Sequence, residues 1–188
     1  MPARSAEMPR PLKVLVVLLA AVLVAGVVVV SIVMRSWQDS GNGDSSPYAM
    51  VPVEAPQAGS HDCTTLIGAL PESIVNGKRT LHQRAIAKPA PAASAAWGDG
   101  SQPVVLRCGL PRPQQLTPTT DLVEVSGVRW LEITDKAAGG DSVTAYAVDR
   151  PVYVALTMPS DAGTGPLQDV SAAVSHALPA VPVRPVGS

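Results

Sequence analysis

Four cations, Lys78, Arg79, Arg84 and Lys88, fall close together, and no acidic side chain occurs between Glu72 and Asp99. The chain as a whole has a formal net charge of −1, so this is a local basic strip with His82 among its members. Such a strip can hold phosphate-bearing lipid headgroups or another anionic polymer, with Trp97 nearby as an apolar anchor. The plainer reading is an edge strand that lysine and arginine keep soluble and unpaired. A fifth cation, Arg107, lies in the apolar run PVVLRC at residues 103–108. A guanidinium there needs a carboxylate or carbonyl partner, which makes it either a structural ion pair or an anion-binding group.

Catalytic patterns are absent. The chain has no Gly-x-Ser-x-Gly elbow, no phosphate-binding glycine loop and no His-Glu-x-x-His. His61, His82 and His176 stand far apart in sequence and read as surface residues. The unit His61-x-Cys63 lacks the further ligands that a zinc site needs. No catalytic residue, metal or cofactor is therefore assigned, and an activity is left open with the balance against an enzyme. A slightly acidic chain also lacks the basic footprint of a nucleic-acid binder.

Residues 14–34, VLVVLLAAVLVAGVVVVSIVM, contain no charge and no proline. As a helix they would span roughly 30 Å, the thickness of a bilayer's hydrocarbon core. Arg4, Arg10 and Lys13 precede the run, and the chain beyond Arg35 carries ten basic against fourteen acidic residues. The positive flank predicts a cytoplasmic N-terminus at 1–13, a single-pass signal anchor at 14–34 and a C-terminal domain outside the cell membrane. A cleaved signal peptide is the competing reading, but Leu23-Val24-Ala25 is a poor small-x-small site and the apolar run continues past it.

Residues 35–60 are rich in Gly, Ser and Pro, show no periodicity, and read as a flexible tether. The domain is expected over 61–178. Asp62 should cap a short helix carrying Leu66, Ile67 and Leu70, and Pro71 closes it. Residues 74–77 read as a turn, 78–86 as an irregular strand, and 88–100 as a Pro/Ala loop in which Trp97 staples the loop over the sheet. Residues 103–108 are a strand. Residues 122–134 form a hairpin with Ser126-Gly127 at its tip, either as a two-residue turn pairing Glu124 with Arg129 or as a bulged three-residue loop. Trp130 of this hairpin should fill the core. A second pair follows at 142–148 and 152–157, then a helix from Pro166 with Leu167, Val170, Val174, Ala177 and Leu178 on one side. The Pro-rich stretch 179–188 reads as a disordered tail. This order predicts an α+β fold: a mostly antiparallel sheet with two helices, one short and N-terminal and one C-terminal, on one face. Cys63 and Cys108 are the only cysteines, and an oxidising space outside the membrane favours a disulfide between them. It would close a loop of about 46 residues and contribute roughly 4 kcal/mol in the chain-entropy model.

The pattern Cys63, Leu66, Leu70-Pro71, Gly77 and Arg79, Ala96-Trp97-Gly98, Val105-Leu106-Arg107-Cys108-Gly109, Pro113, Gly127-Val128 with Trp130, Arg150 and Val152, closed by an amphipathic helix, resembles the actinobacterial family known as domain of unknown function 3515. The resemblance covers residues 60–178. It implies a membrane-anchored protein of the actinobacterial cell envelope with a disulfide-bearing outer domain, and it brings no activity with it. The excess of arginine over lysine is in keeping with a GC-rich genome.

Three classes of function follow. The first is a membrane-tethered interaction or accessory module that meets another envelope protein. The second is a binding domain for an anionic lipid or cell-wall ligand. The third is an envelope-acting enzyme without a recognisable motif.

Overall fold

The computed structural model describes residues 46–100, 102–135 and 142–187. Helix α1 is His61–Ala69 and helix α2 is Gly165–Ala177. The strands are β1 Ser73–Asn76, β2 Arg79–His82, β3 Ser94–Trp97, β4 Val104–Leu110, β5 Val123–Val125, β6 Val128–Asp135, β7 Ser142–Ala147 and β8 Tyr153–Pro159. Strands β1 and β2 form a separate hairpin, and the other six make one antiparallel sheet in the order β3-β4-β8-β7-β6-β5. Over the described residues the fold is α+β, with an antiparallel sheet and two helices. The apolar run 14–34 and the anchor assigned to it lie outside the described residues. Among the described residues no helix is long and apolar enough to cross a membrane.

Alternation along the central strands decides what each face does. In β4, Val104, Leu106 and Cys108 point inward, and Leu106 is in register with Leu156 of β8, itself opposite Ala145 of β7. Both helices cover this inner face: Cys63 and Leu66 of α1 and Leu167, Val170 and Val174 of α2 share one core with these residues, Trp97 and Trp130. The two indoles are fully buried. Each finds an acceptor, Trp97 Nε1 donating to the Pro71 carbonyl at 2.9 Å and Trp130 Nε1 to Ser171 Oγ at 2.9 Å. That satisfies the one polar atom each large ring carries inside.

Several local expectations are corrected. Ser60, not Asp62, caps α1, its Oγ accepting from the Cys63 amide at 3.2 Å, while Asp62 sits in the first turn where a negative charge suits the helix dipole. Ile74 lies within β1, and the turn falls after it at Gly77, whose φ of +61° suits a residue without Cβ. The irregular strand at 78–86 ends as β2 at His82. The loop at 88–100 contains edge strand β3, so Trp97 is a core strand residue and not a loop staple. Runs of four residues are too short to show a period, and Ala95 and Ala96 gave no strand signal. The β5–β6 hairpin takes the two-residue turn: Ser126 and Gly127 have φ of +49° and +73°, and Glu124 faces Arg129.

Half of the stretch read as a tether is laid down on the sheet. Residues 48–58 form a strap over the outer face. Tyr48 is held by two backbone bonds, its amide to the Ala85 carbonyl at 2.8 Å and its carbonyl to the Ala87 amide at 2.9 Å. Met50 is buried against Ala96 and Val105. The strap's far end docks where the Gln57 amide meets the Gly109 carbonyl at 3.0 Å. A Cβ on Gly109 would stand 2.3 Å from the Ala58 nitrogen, so only glycine admits the strap there. The stretch read as a disordered tail is also placed: the Val181 amide reaches the Asp149 carbonyl at 2.9 Å, the Val186 amide the Leu116 carbonyl at 2.7 Å, and Val183 packs beside Leu116 and Leu131. Isolated apolar residues in polar, Pro-rich sequence carry no periodicity, yet one such side chain is enough to seat a segment on a ready surface.

The β7–β8 turn is fastened by a buried ion pair. Arg150 Nη1 lies 2.9 Å from Asp149 Oδ1, and Arg150 Nη2 donates to the Gly127 carbonyl at 2.8 Å. Asp149 Oδ1 also accepts from the Arg129 amide at 3.1 Å. Removing one partner of such a pair strands the other charge in the interior, so Arg150→Ala should lower unfolding free energy by about 3 kcal/mol, measured by denaturant melts.

Cys63 and Cys108 form the disulfide, with Cα atoms 5.6 Å apart, and it ties α1 to β4. Replacing both cysteines by alanine should cost roughly 4 kcal/mol on the same assay, the loop-closure entropy returned to the unfolded chain.

Candidate functional site

Outward-facing residues of the central strands build the site. Arg107 of β4 lies opposite Ala155 of β8, and Ala155 lies opposite Tyr146 of β7. A methyl group between two long side chains leaves a trough. The next row holds Thr157 of β8 opposite Thr144 of β7, with their hydroxyls 3.0 Å apart. Val53 and Glu54 of the strap and residues 110–114, which end β4 and follow it, bound the trough, making a cleft of about 580 Å³. That volume is in the usual range for small-ligand sites.

Arg107 dominates the electrostatics of this cleft. It is half-buried, its Nη2 donates to the Val51 carbonyl at 3.3 Å, and its Nε is buried with no hydrogen-bond partner. No carboxylate of the described residues pairs with it. Burial pushes its guanidinium below the ordinary value, with Tyr48 and Tyr146 acting the other way, although a guanidinium stays charged at neutral pH. Burial likewise raises the Tyr146 phenol, and the charge of Arg107 opposes that rise.

The five cations singled out in sequence do not share one site. Arg79 is paired with Asp99 at 3.2 Å on the surface. Arg84 is engaged with the Ser46 carbonyl at 2.9 Å and the Gly100 carbonyl at 2.8 Å, over the Tyr48 ring. Lys78 is exposed beside the β1–β2 turn and Lys88 is exposed in the loop that follows. Arg107 alone of the five lines the cleft. Of the partners expected for Arg107, the described residues supply the Val51 carbonyl and no carboxylate. Sequence reasoning missed Tyr146, Thr144, Thr157, Glu54 and Arg112. The first three were legible as the polar half of two alternating strands, whereas Glu54 and Arg112 arrive from segments without a period. Arg112 is anchored at the rim, its Nη1 donating to the Pro185 carbonyl at 3.2 Å.

A second cavity of about 220 Å³ lies near the β2 hairpin and contains the Arg79–Asp99 pair. Its one cation is already paired, and with Asp161 also in the lining its charged residues sum to one net negative charge. Among the described residues no group of three or more His, Cys, Asp or Glu is placed to hold a metal ion. His61, His82 and His176 are all exposed, and both cysteines are in the disulfide.

A family model described as "Protein of unknown function (DUF3515)" matches residues 17–183. No curated protein and no solved structure matches the chain.

Because the Tyr146 phenol is favoured in its neutral form by burial, its contribution to stability is present below the ordinary tyrosine value and is lost as pH rises through its raised folded value. Phenolate absorbance should show that late transition, absent in Tyr146→Phe. Arg107→Gln should move it further up, since a cation that favours phenolate is gone; an unmoved midpoint would show that the two groups do not share a field.

Proposed function

Since the chain belongs to the DUF3515 family, whose description assigns no activity, we propose a function from the outer cleft: a tethered binding module that takes an anionic group on Arg107. The observation that carries this is a half-buried guanidinium, lining a cleft of about 580 Å³, with no carboxylate partner among the described residues. A structural arginine in such a place has its fork filled, as Arg150 largely does. Binding is favoured over catalysis because the cleft's lining holds no histidine or cysteine and only one carboxylate, Glu54.

The module sits outside the membrane on a single-pass anchor. The uncharged run 14–34 behind Arg4, Arg10 and Lys13 supports that placement, and so does the Cys63–Cys108 disulfide, a bond typical of oxidising compartments. The resemblance to an actinobacterial family supports a place in that cell envelope. The anionic group is then carried by a lipid or cell-wall polymer, or by another envelope protein.

The test is anion-dependent stabilisation of the full-length chain at fixed ionic strength. Acetate and inorganic phosphate are each titrated against chloride while thermal unfolding is followed. At least one should stabilise the wild type saturably, by about 2.7 kcal/mol at a hundred times its Kd, and should lose that effect in Arg107→Gln. Equal stabilisation of wild type and variant by both anions would dismiss the cleft as the binding site.

A further inference from the structure

The strap borders the cleft between two attachments. On one side are Tyr48, with its two backbone bonds, and buried Met50; on the other is the Gln57–Gly109 bond. Between them, residues 51–54 make one hydrogen bond to the body of the domain, from Arg107 Nη2 to the Val51 carbonyl. At 3.3 Å it is long for N–H···O. Pro52 has no amide to donate, and Val51 and Val53 are 72% and 48% exposed, so little apolar burial holds this span down.

Resting on the reading of Arg107 as an anion site, we infer that residues 51–54 are a displaceable wall of the cleft, and that the ligand's anionic group is a planar carboxylate that takes the Nε–Nη2 edge of Arg107 in place of the Val51 carbonyl. That edge has one long bond on Nη2 and none on Nε. Its two parallel N–H bonds match the two oxygens of a carboxylate side by side. Charge-assisted bonds of this kind run at about 2.7–2.9 Å and are roughly twice as strong as neutral ones, so the exchange favours the carboxylate over a neutral carbonyl. Nε is buried, so a ligand reaches it only once a neighbouring segment moves, and the Val51 carbonyl on the adjacent Nη2 makes residues 51–54 that segment.

The charge count selects a monoanion. The cleft's charged residues are Arg107, Arg112 and Glu54, one net positive charge. A phosphate carrying close to two charges would be left half-compensated. The Thr144, Thr157 and Tyr146 hydroxyls beside Leu110 and Pro111 suit a ligand whose body is part apolar and part hydrogen-bonding. Two sources share that chemistry, a small carboxylic acid and the carboxylate end of a peptide chain.

The test is NMR of the full-length chain, following the Arg107 Nε–H resonance and the Val51, Val53 and Glu54 amides. The probes are N-acetylglycine, its uncharged amide, inorganic phosphate and an acetylated tetrapeptide with a free C-terminus. The expected result is saturable binding of N-acetylglycine, with the Nε–H moving downfield and the strap amides shifting at the same midpoint. The amide probe should do neither, and Arg107→Lys, which keeps charge without the fork, should weaken binding at least tenfold. Tetrapeptide binding tenfold tighter than N-acetylglycine would support a chain end, and equal binding a small acid. Phosphate binding as tightly as N-acetylglycine would overturn the carboxylate assignment. Binding with unmoved strap signals would overturn the moving wall while the anion site stands, and no Arg107-dependent binding of any probe would sink both.

Discussion

The contact on which this domain turns is the approach of one backbone to another at Gly109. There β4 changes register against β8, and the chain takes a φ of +84° that L-residues avoid. The missing Cβ leaves room for residues 57 and 58 to lie on the strand. Immediately before it stand Cys108, which points inward to α1, and Arg107, which points outward to the cleft. Three successive residues thus carry three different duties: an open seat for the strap, a covalent tie to the first helix, and a charged floor for the site. Shifting this strand by one position would exchange the faces of all three.

Two arginines show how the same group serves opposite purposes. Arg150 and Arg107 both leave a buried Nε without a partner. The rest of Arg150 is filled by Asp149 and by the Gly127 carbonyl, fixed groups on neighbouring turns, so its charge is spent on geometry. Arg107 is bonded to one uncharged carbonyl, that of Val51, and shares its cleft with Glu54 and Arg112 without pairing to a carboxylate of the described residues. The two differ in depth, Arg150 being buried and Arg107 half-buried, and in the charge of the groups bonded to them.

Legibility followed the length of the signal. The disulfide could be read because only two cysteines exist, and the β5–β6 hairpin, though not its register, because Ser126-Gly127 sits between two β-branched runs. Helix α2 was plain from five apolar residues at helical spacing. Strand β3 was not, because Ser94, Ala95 and Ala96 are small, and small residues pack well in an edge strand only when something covers them; Arg84, whose amide bonds to the Ala96 carbonyl at 2.7 Å, supplies part of that cover. Of the cleft, Arg107 was visible as a charge in an apolar strand. Its surroundings were not, since the strap and the segment carrying Arg112 reach it from far along the chain, and a single sequence does not tell which loop will pass over which strand.

The order in which the strap, α1 and the disulfide occur along the chain has a mechanical consequence. A load applied to the chain ahead of Ser46 meets the attachments in sequence: first the Ser46 carbonyl on Arg84 and the pair of bonds at Tyr48, then buried Met50 and the span over Arg107, then the Gln57–Gly109 bond. Each hydrogen-bonded attachment is one or two bonds, opened one after another, so the strap gives way before the covalent tie does. At Cys63 the path reaches a covalent bond to the central strand. Beyond it the load passes directly into β4 and is shared across the sheet. Along this path the residues between Ser46 and Cys63 extend before the covalent tie to β4 takes the load.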